Sequence, residues 1–323
     1  MSPSRVALIT GATGGLGLQV AKNLASQGAF EHLVLIGREH GDLRKLTKAA
    51  IAVGSCAIPI ACDFSSLADV RRAASLVLER YPTIDRVLLN AAVWPAAPSS
   101  SSASSSASSP RQPDAAAAEQ ALVVNHLSQL LLARLLLPAL RRADAGRCVF
   151  VSSELHRNTS PLPPTPSALF DAAAAAAAAP SSPPRALYAA SKLLNIWSAR
   201  ELQRRETLSS PSSRVRFAAA SPGFVPTTGL SRSAAGGGLG AWAFRTLAPW
   251  LPFAVSLQEG ARRLEAALLH EPEQESGGAV YYTRGAPCAP SAAAADDAAA
   301  SEAWRLTEAR LTQQEGLLAP LQQ

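Results

Sequence analysis

The alternation of short apolar runs with helix-length amphipathic segments restricts the fold of this chain more than any other feature. Seven continuous apolar runs predict β-strands, at Val6–Thr10, His32–Ile36, Ala57–Ala61, Arg86–Leu89, Arg147–Ser152, Val215–Ala220 and Ala279–Tyr282. Six longer segments predict helices, at Leu16–Ser26, Leu43–Val53, Leu67–Tyr81, Glu119–Arg142, Leu187–Arg205 and Leu257–His270. Continuous apolar strands that alternate with helices are typical of a parallel sheet covered on both faces. We therefore predict an α/β protein with one doubly wound domain and a seven-stranded, mostly parallel sheet.

Three low-complexity segments interrupt that order. Residues 96–118 are rich in serine and alanine, residues 161–185 carry a proline cluster and an alanine run, and residues 286–300 are again rich in alanine. Such compositions bury little apolar surface and are typical of flexible insertions. We expect one domain over residues 1–285, with loop insertions at 96–118 and 161–185. Residues 286–323 are expected to hold a flexible stretch and a C-terminal helix around Glu302–Gln314.

Composition narrows the class of partner and site. The formal charge is +6 and the pI is about 9.5, but the arginines are scattered along the chain, which argues against a nucleic-acid partner. The four cysteines show neither a paired spacing nor a histidine cluster, so we expect buried free thiols, a reducing compartment and no metal site. The apolar runs are too short or too alanine-rich to predict a membrane span. Because the first predicted strand begins by Val6, we expect no targeting segment in this sequence, and a cytoplasmic or a plastid location stays open.

A glycine-rich turn joins the first predicted strand to the first predicted helix, with the letters T-G-A-T-G-G-L-G over Thr10–Gly17. Glycine lets a backbone approach a pyrophosphate closely, and a helix N-terminus offers free N–H groups with a partial positive charge. A glycine cluster alone is often only a turn, but the strand–turn–helix context favours phosphate binding. We expect a Rossmann-like cofactor site that contains Thr10, Gly11, Gly15, Leu16 and Gly17.

The end of the second predicted strand bears on the choice of dinucleotide. An acidic residue there would bind the ribose 2′-hydroxyl of NAD, whereas an arginine accommodates the 2′-phosphate of NADP. The strand ends in Leu35-Ile36-Gly37-Arg38, and Glu39 comes only after the arginine. We therefore expect NADP(H) as the cofactor, with Arg38 at its 2′-phosphate, against the alternative of an ordinary surface arginine.

Tyr188 and Lys192 form the motif most directly suited to catalysis. They stand four residues apart in Y-A-A-S-K, so on a helix they share one face and the ammonium lies beside the phenol. A phenol with a pKa of about 10 needs that pKa lowered to act in acid–base chemistry near neutrality, and a nearby cation supplies the stabilisation. The alternative is a surface helix that happens to carry both residues.

Several motifs in a fixed order give the chain a family resemblance. With Thr10–Gly17, Asp63, Asn90-Ala91-Ala92, Asn125, Ser153, Tyr188 and Lys192 in this order, it resembles the short-chain dehydrogenase/reductase family. The resemblance implies an extended Rossmann sheet, a nicotinamide cofactor and a Ser–Tyr–Lys centre assisted by an asparagine.

Local sequence is similar to one branch of that family. Asn90-Ala91-Ala92-Val93-Trp94-Pro95, the run from Ser221 to Leu230 and Ser276–Tyr282 look like light-dependent protochlorophyllide reductases. Val151–Arg157 and Asn125-His126-Leu127 are also similar to the retinol-dehydrogenase-like group. The chain departs from these patterns at Phe224, where the reductases have a cysteine implicated in photochemistry, and at Ser128-Gln129, where Gly-His is usual.

The resemblance also implies roles for individual residues. Tyr188 would be the general acid, Lys192 would lower its pKa and hold the nicotinamide ribose, and Ser153 would donate a hydrogen bond to a substrate carbonyl. Ser152 is the competing serine. For Asn125, a water-holding link in a proton relay to Lys192 competes with a plain helix–strand hydrogen bond.

The remaining expected contacts lie at other strand ends. Pro222, Gly223 and Thr227 would frame the nicotinamide, Asn90 would hold backbone near the adenosine ribose, and Asp63 would contact the adenine. Tyr188 and Lys192 would also touch the cofactor.

Aromatic residues suggest a large apolar pocket. We expect it to be built by Trp94, Phe224 and Trp242, the last in the aromatic stretch Ala241–Phe253. That stretch would otherwise form the core of a mobile lid or a peripheral membrane contact.

The sequence thus predicts an NADPH-dependent oxidoreductase that transfers hydride to a bulky apolar substrate, either a conjugated tetrapyrrole or a retinal-like or lipid-like carbonyl. A genuine light-dependent protochlorophyllide reductase and a non-catalytic NADPH-binding regulatory module are the alternatives. A homodimer through the helices around Glu119–Arg142 and Leu187–Arg205 is a further expectation from the resemblance.

Overall fold

The strands form one sheet. A computed structural model describes residues 5–38, 44–95, 115–175, 183–230, 251–270 and 279–315. The strands in these ranges are β1 (Val6–Thr10), β2 (His32–Gly37), β3 (Ala57–Ala61), β4 (Arg86–Leu89), β5 (Arg147–Val151), β6 (Arg216–Ser221), β7 (Val280–Thr283) and β8 (Ala286–Cys288). Their order is β3-β2-β1-β4-β5-β6-β7-β8, and all neighbours pair in parallel except β7 and β8. The predicted doubly wound α/β fold is confirmed, with a switch point between β1 and β4 where ligands of such sheets bind.

Helices flank the sheet. They are α1 (Gly15–Ser26), α2 (Arg44–Val53), α3 (Leu67–Arg80), α4 (Ala115–Leu122), α5 (Ser128–Arg141), α6 (Pro166–Ala175), α7 (Pro184–Ser209), α8 (Leu257–Leu269), α9 (Ala292–Ala295) and α10 (Asp297–Glu315). A π-helical turn, Val123–Leu127, joins α4 to α5, and a 3₁₀ turn, Glu154–Arg157, follows β5. Helix α6 lies within the segment 161–185 that the sequence predicted to be a flexible insertion, and α4 begins inside the segment 96–118.

The sheet has eight strands rather than the predicted seven. The extra strand, β8, pairs antiparallel to β7 across a two-residue turn at Arg284 and Gly285. Both turn residues have positive φ, 54° and 80°, which is the geometry of a type I′ hairpin. All three residues of β8 are exposed, so the strand has no apolar pattern that sequence analysis could detect.

Two hydrophobic cores cover the two faces of the sheet. In β1, Val6 and Leu8 face one core while Ala7 and Ile9 face the other, and none of the four is more than 2% exposed. Side chains of successive strand residues point to opposite faces, so a strand buried on both sides must be apolar throughout. This is the physical reason that the continuous apolar runs located these strands.

The run 116–141, through α4, the π turn and α5, is long and apolar enough to cross a membrane by length and composition. However, 78% of that window is buried inside the molecule. Leu130, Leu131 and Leu136, for example, are at most 1% exposed. We describe it as a core helix.

Helix α10, which contains the predicted C-terminal helix, packs along α7. Its Trp304 is 8% exposed and lies under two guanidinium groups, those of Arg134 at 5.1 Å and Arg205 at 4.6 Å from the ring centroid. Ion pairs of Arg134 with Glu308 and of Arg310 with Glu119 connect α10 to α5 and α4. The C-terminal segment is thereby packed onto α7, which carries Tyr188 and Lys192, and onto the two helices that flank the π turn of Asn125.

Candidate active site

The glycine-rich turn lies at the switch point and is shaped by close backbone approaches. Gly11 has φ +66°, and a Cβ there would lie 2.9 Å from Ala91 Cα. A Cβ on Gly17 would lie 2.6 Å from the carbonyl oxygen of Gly11. Gly14 at the N-terminus of α1 has open space around it and no side-chain cap, and the first turn of α1 holds no acidic residue. Such an uncapped helix start, reached by a side-chain-free turn, suits a dinucleotide phosphate.

Thr10 and Asn90 hold that turn in place. Thr10 Oγ1 accepts hydrogen bonds from the backbone N–H groups of Asn90 (2.8 Å) and Ala91 (2.9 Å) and donates to Gln129 Oε1 (3.2 Å). Asn90 Nδ2 donates to the carbonyl of Thr10 at 2.9 Å. Because Thr10 is fully buried and its hydroxyl is used by protein groups, its side chain supports the turn.

The two serines after β5 have different surroundings. Ser152 is 1% exposed, and its hydroxyl donates to the backbone carbonyl of Lys192 at 2.8 Å. Ser153 is half-buried, and its Oγ accepts a hydrogen bond from the backbone N–H of Leu155 at 3.2 Å. The proton of Ser152 is therefore committed to the backbone, whereas Ser153 has an accepting contact that leaves its own proton available.

Tyr188 and Lys192 lie side by side on α7, as the spacing predicts. The Lys192 ammonium is 5.4 Å from the centre of the Tyr188 ring and donates to the carbonyl of Val151 at 3.0 Å. Burial raises the pKa of Tyr188 above that of a free phenol and lowers the pKa of Lys192 to about 7. The expected lowering of the tyrosine pKa by the lysine is thus outweighed by desolvation in this structure.

Asn125 lies in the π turn and is fully buried. Its Oδ1 accepts from the backbone N–H of Val93 (2.7 Å), and its Nδ2 donates to the Val93 carbonyl (3.0 Å) and to Ser191 Oγ (3.1 Å). These contacts connect the π turn to the chain after β4 and to α7. π turns often occur at functional sites, because they widen the local backbone.

The segment after β6 lies against the glycine-rich turn. A Cβ on Gly15 would lie 4.0 Å from Thr228 Cγ2, and a Cβ on Gly260 would meet Val225, Leu16 and Pro222. Gly223 has φ +87°, and Arg263 and Val255 leave no room for a side chain there. Residues predicted at the cofactor in two distant parts of the sequence, Leu16 and Pro222, are thus brought together.

The other predicted contact residues are distributed around this centre. Arg38 is exposed just beyond β2, and Thr227 is exposed after β6. The Asp63 carboxylate, after β3, accepts from the backbone N–H of Ser65 at 3.0 Å.

Two of the three predicted pocket residues are described. The Trp94 ring lies 5.0 Å from that of Tyr188, and the Phe224 ring lies 5.8 Å from that of Phe253. Trp242 lies outside the described residues.

Three residues near the centre were not predicted from the sequence. Asn195, one turn after Lys192 on α7, donates to the same Val151 carbonyl at 3.2 Å. Gln129 binds Thr10 and, through Nε2, the Val124 carbonyl of the π turn (3.0 Å). His156 contacts the Ser153 carbonyl. The sequence signal for all three is a polar residue inside a strongly apolar or motif-bearing segment.

A doubly wound sheet with a bare glycine turn at its switch point and a Tyr–Lys pair beside β5 defines the class of dinucleotide-dependent α/β oxidoreductases. The family model for short chain dehydrogenases matches residues 5–168. The chain belongs to the short-chain dehydrogenase/reductase family.

Individual relatives agree with this. The chain is 30% identical over 322 residues to the WW domain-containing oxidoreductase of Danio rerio, covering 96% of this chain and 69% of the relative. It is 31% identical to the chloroplastic protochlorophyllide reductase B of Hordeum vulgare, covering 94% of this chain and 77% of that one. A crystal structure of an uncharacterized protein from Mycobacterium paratuberculosis superposes with a TM-score of 0.64 at 25% identity, covering 96% of this chain and 93% of that one.

Proposed function

We propose that this protein is an NADPH-dependent reductase of a bulky apolar substrate, a carbonyl or a conjugated ring system. The observation that carries the proposal is the anchoring of three groups at the carboxyl end of β5. Lys192 Nζ donates to Val151, Ser152 donates to the Lys192 carbonyl, and Ser153 follows directly in sequence. The Tyr–Lys helix and the available serine hydroxyl are thereby attached to one strand end.

Ser153 is suited to orient a carbonyl group. Its Oγ accepts the N–H of Leu155, so the hydroxyl proton is directed elsewhere and can be donated to a substrate oxygen. Donation to an oxygen on which negative charge develops stabilises the transition state more than the ground state.

Tyr188 is suited to supply the proton. Burial keeps the phenol protonated at neutral pH, so it carries the proton that a reduced oxygen needs. When that proton leaves, a phenolate forms beside the Lys192 ammonium, which stabilises it. A nicotinamide held at the glycine turn would supply the hydride for the carbonyl carbon. Tyr188 would give its proton to the oxygen, so that a ketone or aldehyde would become an alcohol.

The preference for NADPH is supported by Arg38. It lies exposed at the end of β2, next to the strand that leads into the glycine turn. A guanidinium group at this place would pair with the charge of a 2′-phosphate, which is a stronger interaction than a hydrogen bond to a free 2′-hydroxyl.

The apolar substrate class is supported by aromatic residues near Tyr188 and after β6. Trp94 packs on Tyr188, and Phe224 packs on Phe253, which is 63% exposed. An exposed phenylalanine next to a half-buried one provides an apolar surface that a large ligand can cover.

Turnover by the purified protein tests this function. NADPH oxidation would be followed with retinal, long-chain aldehydes, aromatic ketones and protochlorophyllide, in darkness and in light, beside the Tyr188→Phe and Ser153→Ala variants. We expect dark turnover of at least one bulky carbonyl, lost by about a hundredfold or more in each variant. Full turnover in Tyr188→Phe would contradict the proposed chemistry.

The similarity to protochlorophyllide reductase B over 94% of the chain favours a second candidate. Turnover of protochlorophyllide only under illumination would establish the light-driven reaction, with a group other than a thiol at the position of Phe224. Tight NADPH binding with no turnover of any substrate would instead support the regulatory module.

A further inference from the structure

His156 is a buried side chain whose two ring nitrogens both hold backbone groups. It is 2% exposed. Its Nδ1 lies 2.7 Å from the carbonyl oxygen of Ser153, and its Nε2 lies 3.3 Å from the backbone N–H of Ser291. The ring also packs edge-on against Tyr281 at 5.1 Å, and the Tyr281 hydroxyl donates to Glu154 at 2.6 Å.

These contacts define the tautomer of the ring. A carbonyl oxygen only accepts, so Nδ1 carries the proton and donates it to Ser153. A backbone N–H only donates, so Nε2 is unprotonated and accepts from Ser291. The ring is therefore neutral and fully engaged, and burial lowers the pKa of His156, which favours the same form.

The Ser291 end of this contact is held firmly. Side chains of α7 and of the 3₁₀ turn donate to backbone carbonyls on both sides of it: Trp197 to Ala293 (2.9 Å), Arg200 to Ala295 (3.0 Å) and Arg157 to Ala289 (3.0 Å). The segment 286–295, which the sequence predicted to be flexible, thus provides a fixed N–H group for the histidine.

We propose that His156 is a positioning residue for Ser153, and that the C-terminal segment around Ser291 holds His156 in place. The inference rests on the proposed function, in which the Ser153 hydroxyl orients the substrate carbonyl. Ser153 is the N-cap of the 3₁₀ turn, with extended backbone (φ −154°, ψ 151°). Its peptide carbonyl accepts from the His156 ring (2.7 Å) and from the backbone N–H of His156 (3.1 Å), and its Oγ accepts from Leu155. Loss of the ring contact leaves the carbonyl held by the backbone bond alone and loosens the orientation of the residue. A misplacement of about 1 Å in an active site lowers the rate by up to about a hundredfold.

The test compares His156→Leu, which removes both hydrogen bonds, with His156→Asn, whose amide keeps an N–H donor and an acceptor. We expect His156→Leu to lower kcat about tenfold to a hundredfold with little change in KM or in NADPH affinity, and His156→Asn to recover most of the loss. In the Ser153→Ala background, His156→Leu should have almost no further effect, because it acts through the serine.

A second pair of variants tests the C-terminal contribution. Ser291 has φ −65°, which proline shares, so Ser291→Pro removes the N–H that binds His156. It also removes the serine hydroxyl that caps α9, and Ser291→Ala is the control that loses the cap but keeps the N–H. We expect Ser291→Pro, but not Ser291→Ala, to lower kcat in the same way as His156→Leu.

Amide hydrogen exchange of residues 153–158 gives a measurement that needs no substrate. We expect faster exchange there in His156→Leu than in His156→Asn. Unchanged exchange and unchanged kcat in His156→Leu would overturn the inference, as would a kcat loss that persists in full in the Ser153→Ala background. Full activity of Ser153→Ala itself would instead contradict the proposed function, and the exchange data would then decide the positioning role alone.

Discussion

Replacement of Thr10 by valine is the sharpest test of how the glycine turn is held. Valine has nearly the shape of threonine, but it removes the hydroxyl that accepts from the N–H groups of Asn90 and Ala91 and donates to Gln129. Thr10 is completely buried (0% exposed), so water cannot replace the hydroxyl in these contacts. Each backbone N–H left without a partner in the interior costs about 1–3 kcal/mol.

Two such groups lower the free energy of unfolding of Thr10→Val by about 2–6 kcal/mol. Thr10→Ser is the matched control: it keeps the hydroxyl and loses only a buried methyl group, which costs about 1 kcal/mol. Because the same contacts fix the turn at Gly11, NADPH should also bind more weakly to Thr10→Val than to Thr10→Ser.

Urea denaturation followed by circular dichroism measures the change as a shift in midpoint at constant slope. Fluorescence titration measures NADPH affinity. If the free energy of unfolding of Thr10→Val lies within about 0.5 kcal/mol of the wild-type value, or if Thr10→Ser loses as much stability as Thr10→Val, the hydrogen-bond argument is refuted.

Three further predictions concern the turn, the lysine and the cofactor. Gly11→Ala should destabilise the protein and abolish NADPH binding, because its Cβ would meet Ala91. Gly28→Ala is the control: Gly28 has φ +60° but open space around it, so the change should cost only about 1 kcal/mol of stability and leave NADPH binding intact. Equal effects of the two substitutions would contradict this. Burial lowers the folded-state pKa of Lys192 to about 7 from 10.5, so the folded state binds fewer protons between these values and stability rises with pH there. Lys192→Met should therefore be more stable than the wild type, most of all below pH 7, and the two proteins should become equally stable above about pH 10. Urea denaturation that shows the same stability difference at every pH would contradict the burial of a charged lysine. Arg38→Ala should weaken NADPH binding about tenfold and leave NADH binding unchanged, as measured by titration with both dinucleotides.

The fold was predictable where burial acts on both sides of an element. The strands Val6–Thr10 and Arg86–Leu89 are buried at every position and match the prediction to the residue, because a parallel sheet covered by helices favours apolar residues on both faces. The edge strand Ala57–Ala61 also matches to the residue, although it is only partly buried. Strand β8 was not predictable, since its three residues are exposed and its formation depends on the Arg284–Gly285 turn and on pairing with β7.

The site was predictable where local periodicity sets it. A spacing of four places Tyr188 and Lys192 together on any helix, and the structure has them so. His156 was not predictable as a support for Ser153, because one of the two hydrogen bonds of its ring is to Ser291, which is 135 residues away in the chain. Long-range hydrogen bonds of this kind leave no periodic signal.

The polar residues at the sheet edge fall into two groups: those whose polar atoms are bonded to protein groups, and those that keep a donor for a ligand. Thr10, Ser152 and Asn125 are buried, and each uses its polar atoms on backbone or neighbouring side chains. Ser153 keeps an uncommitted proton, and within the described part of the chain the Tyr188 hydroxyl donates to no protein group. Buried polar groups must find partners in the folded state, so a donor left over next to a closely held turn is the kind of group that a ligand completes. The residues that sequence motifs grouped together as one site therefore divide into a rigid frame and a few groups able to react.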